Sequence, residues 1–192
     1  MQNTKQTPQT EKSRRVNGVD TGVLMETVNA IARQPELGAC RFRASNTWVD
    51  GARNCSTVNG FYGARQEIAH KQTFTMTADE PPILAGQDEG ANPVEYLLHA
   101  LAACLTTSMV AHAAVRGIEI KSMASELEGD IDLRGFLGLD PTVPKGFTSI
   151  RAKFKVDARP EDMGHVRELA SFSPVFNTLT KGVKVDVDVA GA

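Results

Sequence analysis

The stretch Asn92 to Gly117, NPVEYLLHALAACLTTSMVAHAAVRG, constrains this chain more than any other, because it is the longest apolar run and both its ends carry helix-end chemistry. Asn92 suits an N-cap, Pro93 suits the first helical position, where a missing N–H costs nothing, and Glu95 completes an Asn-x-x-Glu capping box. Gly117 closes the helix. Between the caps only Glu95 and Arg116 are charged, each at the end where the helix dipole favours its sign. A helix apolar on nearly every face must be buried. Its length would also cross a bilayer, but His99, Thr106, Thr107, Ser108 and His112 suit lipid poorly and no second such segment exists. The run therefore predicts a central core helix in a protein with no membrane partner.

Cys104 lies in the middle of this helix. Leu101 and Thr107 stand three residues away and Ala100 and Ser108 four, so the thiol projects from small residues that leave room for an approaching molecule. On spacing alone, a cysteine in an apolar helix is more often a small buried hydrophobe than a reactive thiol. Cys40, Cys55 and Cys104 make no CxxC pair, which fits a reducing cytoplasm and offers no zinc site. A net charge of −2 supplies no nucleic-acid surface, and the polar start, MQNTKQTPQTEKSRRVNG, lacks the apolar core of a signal peptide. No cofactor or metal is expected.

At 192 residues the chain fits one folded domain with appendages. Residues 1–18 have almost no apolar side chains and are expected to be a disordered tail; residues 19–36 carry Val23, Leu24, Val28 and Ile31 at helical spacing and predict a helical extension; residues 37–192 form the main domain. Strand alternation predicts a hairpin from Cys40 through Asp50-Gly51 to Val58, then a strand from Gln66 to Ala78 ended by Pro81-Pro82. Beyond the central helix two long strands follow, one with Glu126, Glu128, Asp130 and Asp132 on one side, the next with Arg151, Lys153 and Lys155, as cross-strand charge pairing would require. Helices over Pro160 to about Ser171 and Val175 to Thr180, and a last strand through Val183, Val185, Val187 and Val189, complete an α+β pattern with antiparallel sheets. A helix apolar on every face needs more cover than one such sheet gives, which points to a second subunit.

Several stretches together resemble the OsmC/Ohr family, the osmotically inducible and organic hydroperoxide resistance proteins. They are Asn92-Pro93 with a cysteine twelve residues after the asparagine, Asp79-Glu80-Pro81 with Ala85-Gly86-Gln87-Asp88, Arg116 to Ile120, Gly129 to Gly138, and Ser173-Pro174-Val175-Phe176-Asn177-Thr178-Leu179. The likeness runs over roughly residues 40 to 189 and is nearest the OsmC-like branch. It implies antiparallel sheets wrapped around long buried central helices in an intertwined homodimer.

In the family's peroxidases the helix cysteine attacks the O–O bond as a thiolate and then condenses with a second cysteine. Cys104 matches the first, while Ser173 stands where the second would be. The resemblance implies a catalytic arginine in the first hairpin, best matched by Arg53; the family's glutamate after Asn-Pro is replaced by Val94, with Glu95 one position later and so about 100° round the helix. A thiol twelve residues into a helix gains little from the N-terminal amides, so activation needs a cation such as Arg53. On spacing alone a solvated hairpin arginine is an equal reading. His99 and His112 are weaker candidates, read first as hydrogen-bonded core or interface residues. Cys55 shares a strand face with Arg53 and is either a substitute resolving thiol or, more simply, a small strand residue. Asp79 and Glu80 match a family signature but can equally be loop-capping, and no catalytic role is assigned to them. The resulting expectation is a thiol-dependent peroxidase using Cys104, Arg53, a small-molecule peroxide and an external thiol reductant; the alternative is a non-catalytic protein holding an apolar ligand at the dimer interface.

Overall fold

The computed structural model describes residues 15–191. Its first element contradicts part of the expected tail. Strands β1 (Arg15–Val16) and β2 (Val19–Asp20) form a hairpin whose two-residue turn, Asn17-Gly18, has φ values of 54° and 77°, the left-handed pair that an Asn-Gly turn accepts most readily. Val16 is buried, and the Asn17 side chain donates to the Ile118 carbonyl (3.0 Å) and accepts from the Ile120 amide (2.8 Å), more than 100 positions away. Residues 15–18 are thus ordered, and the remainder of the expected tail lies outside the described residues. Asn17→Ala should cost about 1–3 kcal/mol in urea unfolding, because a strand amide loses its acceptor; an unchanged midpoint would show that the clasp is ornamental.

Asp20 caps α1 (Thr21–Arg33) by accepting from the Val23 amide (3.1 Å), which places the helical extension where its periodicity predicted. A first sheet follows. Its centre is β5 (Arg53–Gly63), flanked on one side by β3 (Arg41–Phe42) and β4 (Ser45–Asp50) and on the other by β6 (Gln66–Ala78). The ladders are antiparallel, and the predicted hairpin turns between Asp50 and Arg53. Phe42, Phe61, His70 and Phe74 follow one another with centroid spacings of 5.2, 5.7 and 5.3 Å, the first pair stacked, the second tilted and the third edge-to-face. Phe42 is nevertheless 74% exposed.

The central helix α2 (Pro93–Val115) lies against the second sheet, β7 (Ile120–Ile131) paired antiparallel with β8 (Phe147–Ala158). Leu101, Leu105, Met109 and Ala113 form the buried stripe, packed with Ile118, Val166 and Leu169 and bordered by Met123, Leu127, Phe154 and Val156. The spacing is i, i+4, one helix face. The expectation of burial all round is met on that face and at Ala114, whereas His99, Ala103 and Thr107 are exposed within one chain. On the outer face of the second sheet Glu126 lies opposite Lys153 and Glu128 opposite Arg151, and Arg151 also pairs with Asp130, as the charge pattern predicted. A short α3 (Leu133–Phe136) opens the β7–β8 connection.

Helices α4 (Met163–Leu169) and α5 (Pro174–Lys181) close the core. The last predicted strand does not form: Val183, Val185, Val187 and Val189 are 67–88% exposed, and no strand pairs with them among the described residues. Alternation alone does not make a strand, because its backbone groups need a neighbouring ladder.

Candidate functional site

The helix start is built as its sequence implies. Asn92 accepts from the Val94 amide (2.8 Å), Glu95 accepts from the Asn92 amide (2.9 Å), and Tyr96 donates its hydroxyl to the Thr77 carbonyl (2.7 Å), so α2 is fastened to the end of β6. Glu95 is therefore a cap. Asp79, one residue past β6 and 1% exposed, accepts from the amides of Glu80 (2.8 Å), Gln87 (3.1 Å) and Glu89 (3.2 Å). Those backbone bonds, with the Arg53 charge, hold its carboxyl below the usual range against the opposing cost of burial. Glu80 accepts from the Asn92 side chain, and burial, then Asp79 and Glu95, push its carboxyl upward. Both acids do structural work, the loop-capping alternative that the sequence left open.

The two carboxyls set opposite pH signs. Asp79 binds its proton less readily folded than unfolded, so its contribution is present above about pH 4 and lost as pH falls below it; Glu80, shifted upward, opposes stability as pH rises past its unfolded value near 4.3. Asp79→Asn should accordingly lower the melting temperature at neutral pH, and the gap to the parent protein should close on acidification below about pH 4. A gap independent of pH would mean that the Asp79 charge is irrelevant.

Arg53 opens β5 and pairs with Glu89 in the segment leading to α2. Cys104 is half-buried between the packed stripe and the open one, with Leu101 and Leu105 on its buried side and Ala103 and Thr107 on its open side. Cys104 stands twelve residues into the helix, about 18 Å beyond Asn92, and no hydrogen bond or ion pair links it to Arg53 among the described residues. Cys55 lies half-buried on β5 between Thr47 and Thr77, and Cys40 is exposed. All three thiols are free.

His99 is exposed. His112 stacks on Phe172 at 4.1 Å and contacts Arg116 through Nδ1 (3.2 Å); burial and then the Arg116 charge lower its pKa, so it is a neutral packing residue. Ser173 is fully buried, and its hydroxyl caps α5 by accepting from the Phe176 amide (3.2 Å). Sequence reasoning missed two features. Glu89 lay in a loop with no periodicity, and an apolar groove of about 880 Å³ between α2, β8, α4 and α5, lined by Leu101, Leu105, Phe154, Val166 and Phe176 with Arg167 at its margin, exists only once the elements are assembled. Cys104 does not line it.

A long helix bearing a mid-helix cysteine, laid on an antiparallel sheet and joined to a second sheet, defines an α+β protein of the OsmC-like fold. The OsmC family, described as OsmC-like protein, matches residues 86–188, and this chain belongs to it. An OsmC-like protein from Mycoplasma pneumoniae is similar in structure, with a TM-score of 0.53 and 21% identity over 78% of this chain and 96% of that one. An OsmC-like protein of unknown function from Vibrio cholerae gives a TM-score of 0.54 and 12% identity over 72% and 92% of the two chains. At such identities the likeness is one of fold. No curated protein matches the chain.

Proposed function

We propose that this protein is a soluble, cytoplasmic, homodimeric thiol peroxidase whose nucleophile is Cys104. The observation that carries the reading is the placement of Cys104 in an OsmC-family chain: half-buried at the middle of α2, on the border of the helix face that a single chain leaves open. The Cys104 thiolate attacks the terminal oxygen of a hydroperoxide, the O–O bond breaks, and the alkoxide takes a proton and leaves as an alcohol; the sulfur, oxidised by two electrons, is a sulfenic acid. Ser173 has no sulfur to resolve it. One external thiol forms a mixed disulfide and releases water, and a second restores the Cys104 thiol as the external disulfide departs. Arg53 supplies the cation, and because it lies at the entrance to its own α2, it serves the thiol of the partner protomer.

The dimer is supported by exposed area. Phe42, Trp48, Phe74 and Ile83 stand exposed on one chain, apolar area that a second subunit would cover. The test is complementation: Cys104→Ser and Arg53→Ala variants, each impaired alone, should regain peroxide consumption when unfolded and refolded together. Failure to regain any would place both groups in one chain's site or dismiss the pair.

The groove favours a second reading, an apolar-ligand binder without redox chemistry. Tight binding of a fluorescent apolar probe by the dimer, together with an unreactive Cys104, would support that reading.

A further inference from the structure

We propose that Glu89 is the positioning residue for Arg53, a counter-charge delivered by the loop before α2 and not by the helix itself. The inference rests on the peroxidase reading above and adds a residue to it. Asn54 faces Ala78 in the β5–β6 ladder, so Arg53 and Asp79 are the next residues at the same end of neighbouring strands. Asp79 then gathers the loop, since two of its three amide donors are Gln87 and Glu89. The loop packs tightly enough to exclude side chains at two points: a Cβ on Gly86 would meet the Glu80 carbonyl oxygen at 1.7 Å, and one on Gly90 the Thr77 carbonyl oxygen at 2.5 Å. Glu89 is therefore held by its own amide on one side and by Gly90 on the other, and from that fixed backbone its carboxylate reaches Arg53 Nη1.

No carboxylate of the first helical turn competes for this task. Glu95 is engaged with the Asn92 amide, and the position directly after Asn-Pro is Val94. A guanidinium has five N–H donors in a rigid fork; Glu89 occupies one side and leaves the others free to face a thiolate or a peroxide oxygen. Without that anchor a long arginine side chain would sample many rotamers and spend little time at the thiol.

The sign of the effect separates positioning from mere proximity. A carboxylate that only sits nearby disfavours a thiolate, so removing its charge would lower the thiol pKa and speed alkylation. A positioning carboxylate predicts the reverse. The experiment compares Glu89→Gln, Glu89→Asp, Arg53→Ala and the Arg53→Ala/Glu89→Gln pair, following Cys104 alkylation by iodoacetamide against pH and its oxidation by cumene hydroperoxide, with melting temperature as a check on folding. Glu89→Gln should shift the alkylation midpoint to higher pH and slow oxidation about tenfold; Glu89→Asp should restore most of the rate; and the double variant should be no slower than Arg53→Ala alone. If Glu89→Gln is inert or faster while Arg53→Ala is slow, or if the two losses multiply, the positioning role is overturned and the peroxidase reading stands. If Arg53→Ala leaves the thiol unchanged, the Arg53 assignment falls and takes the role of Glu89 with it.

Discussion

Cys104→Ser should reduce hydroperoxide consumption to the uncatalysed background, the largest change in activity that any single substitution here produces. A neutral serine hydroxyl does not displace oxygen from an O–O bond, whereas a thiolate does, so nothing on the same stem replaces the sulfur. Arg53→Ala should lower the rate by roughly a hundred- to a thousandfold, the scale for deleting one group that stabilises charge in the reacting state. Turnover of the parent protein and of Arg53→Ala should stop when no small thiol is added. Ser173, buried and bound to the Phe176 amide, has neither the atom nor the freedom to condense with a sulfenate. Mass spectrometry after one equivalent of peroxide should find Cys104 carrying one added oxygen, or more with excess oxidant. A Cys104–Cys55 disulfide in that sample would instead make Cys55 the resolving thiol. Full activity in Cys104→Ser would sink the enzymatic reading of the helix.

The parts of this molecule that sequence discloses are those decided locally. The capping box at Asn92 and Glu95, the proline breaks after β6 and the acidic-against-basic register of β7 and β8 each depend on residues a few positions apart or on strict alternation, and each is present as read. What sequence did not disclose is decided by distant partners. The Asn17-Gly18 hairpin sits in a segment of polar composition, and what orders it is a pair of bonds to Ile118 and Ile120 that no local pattern encodes. The valines of 183–189 err the other way, having strand alternation without a ladder in the chain. The candidate site divides similarly. Cys104 and Arg53 could be named from motif and position, while Glu89 becomes visible only when Asp79 folds the loop back on β6.

The urea unfolding midpoint should rise with protein concentration, and light scattering should give twice the chain mass at micromolar concentration. Trp48 is 70% exposed, Phe42 74% and Ile83 81%, and the open stripe of α2 presents Ala103 and Thr107 where a second helix could approach closely. Apolar side chains left this open on one chain are what an obligate interface, which buries about 2,000–5,000 Å² in total, would cover. When association and folding are one transition, each tenfold rise in concentration adds about 1.4 kcal/mol to apparent stability. Ala103→Glu places a charge on the open stripe and leaves the packed stripe of Leu101, Leu105 and Met109 untouched. Its expected effect is loss of the dimer and, with it, of cooperative unfolding at micromolar concentration, because a charge desolvated against an apolar partner costs several kcal/mol. A concentration-independent midpoint, or a dimer indifferent to Ala103→Glu, would mean that the open face of α2 is not where two chains meet.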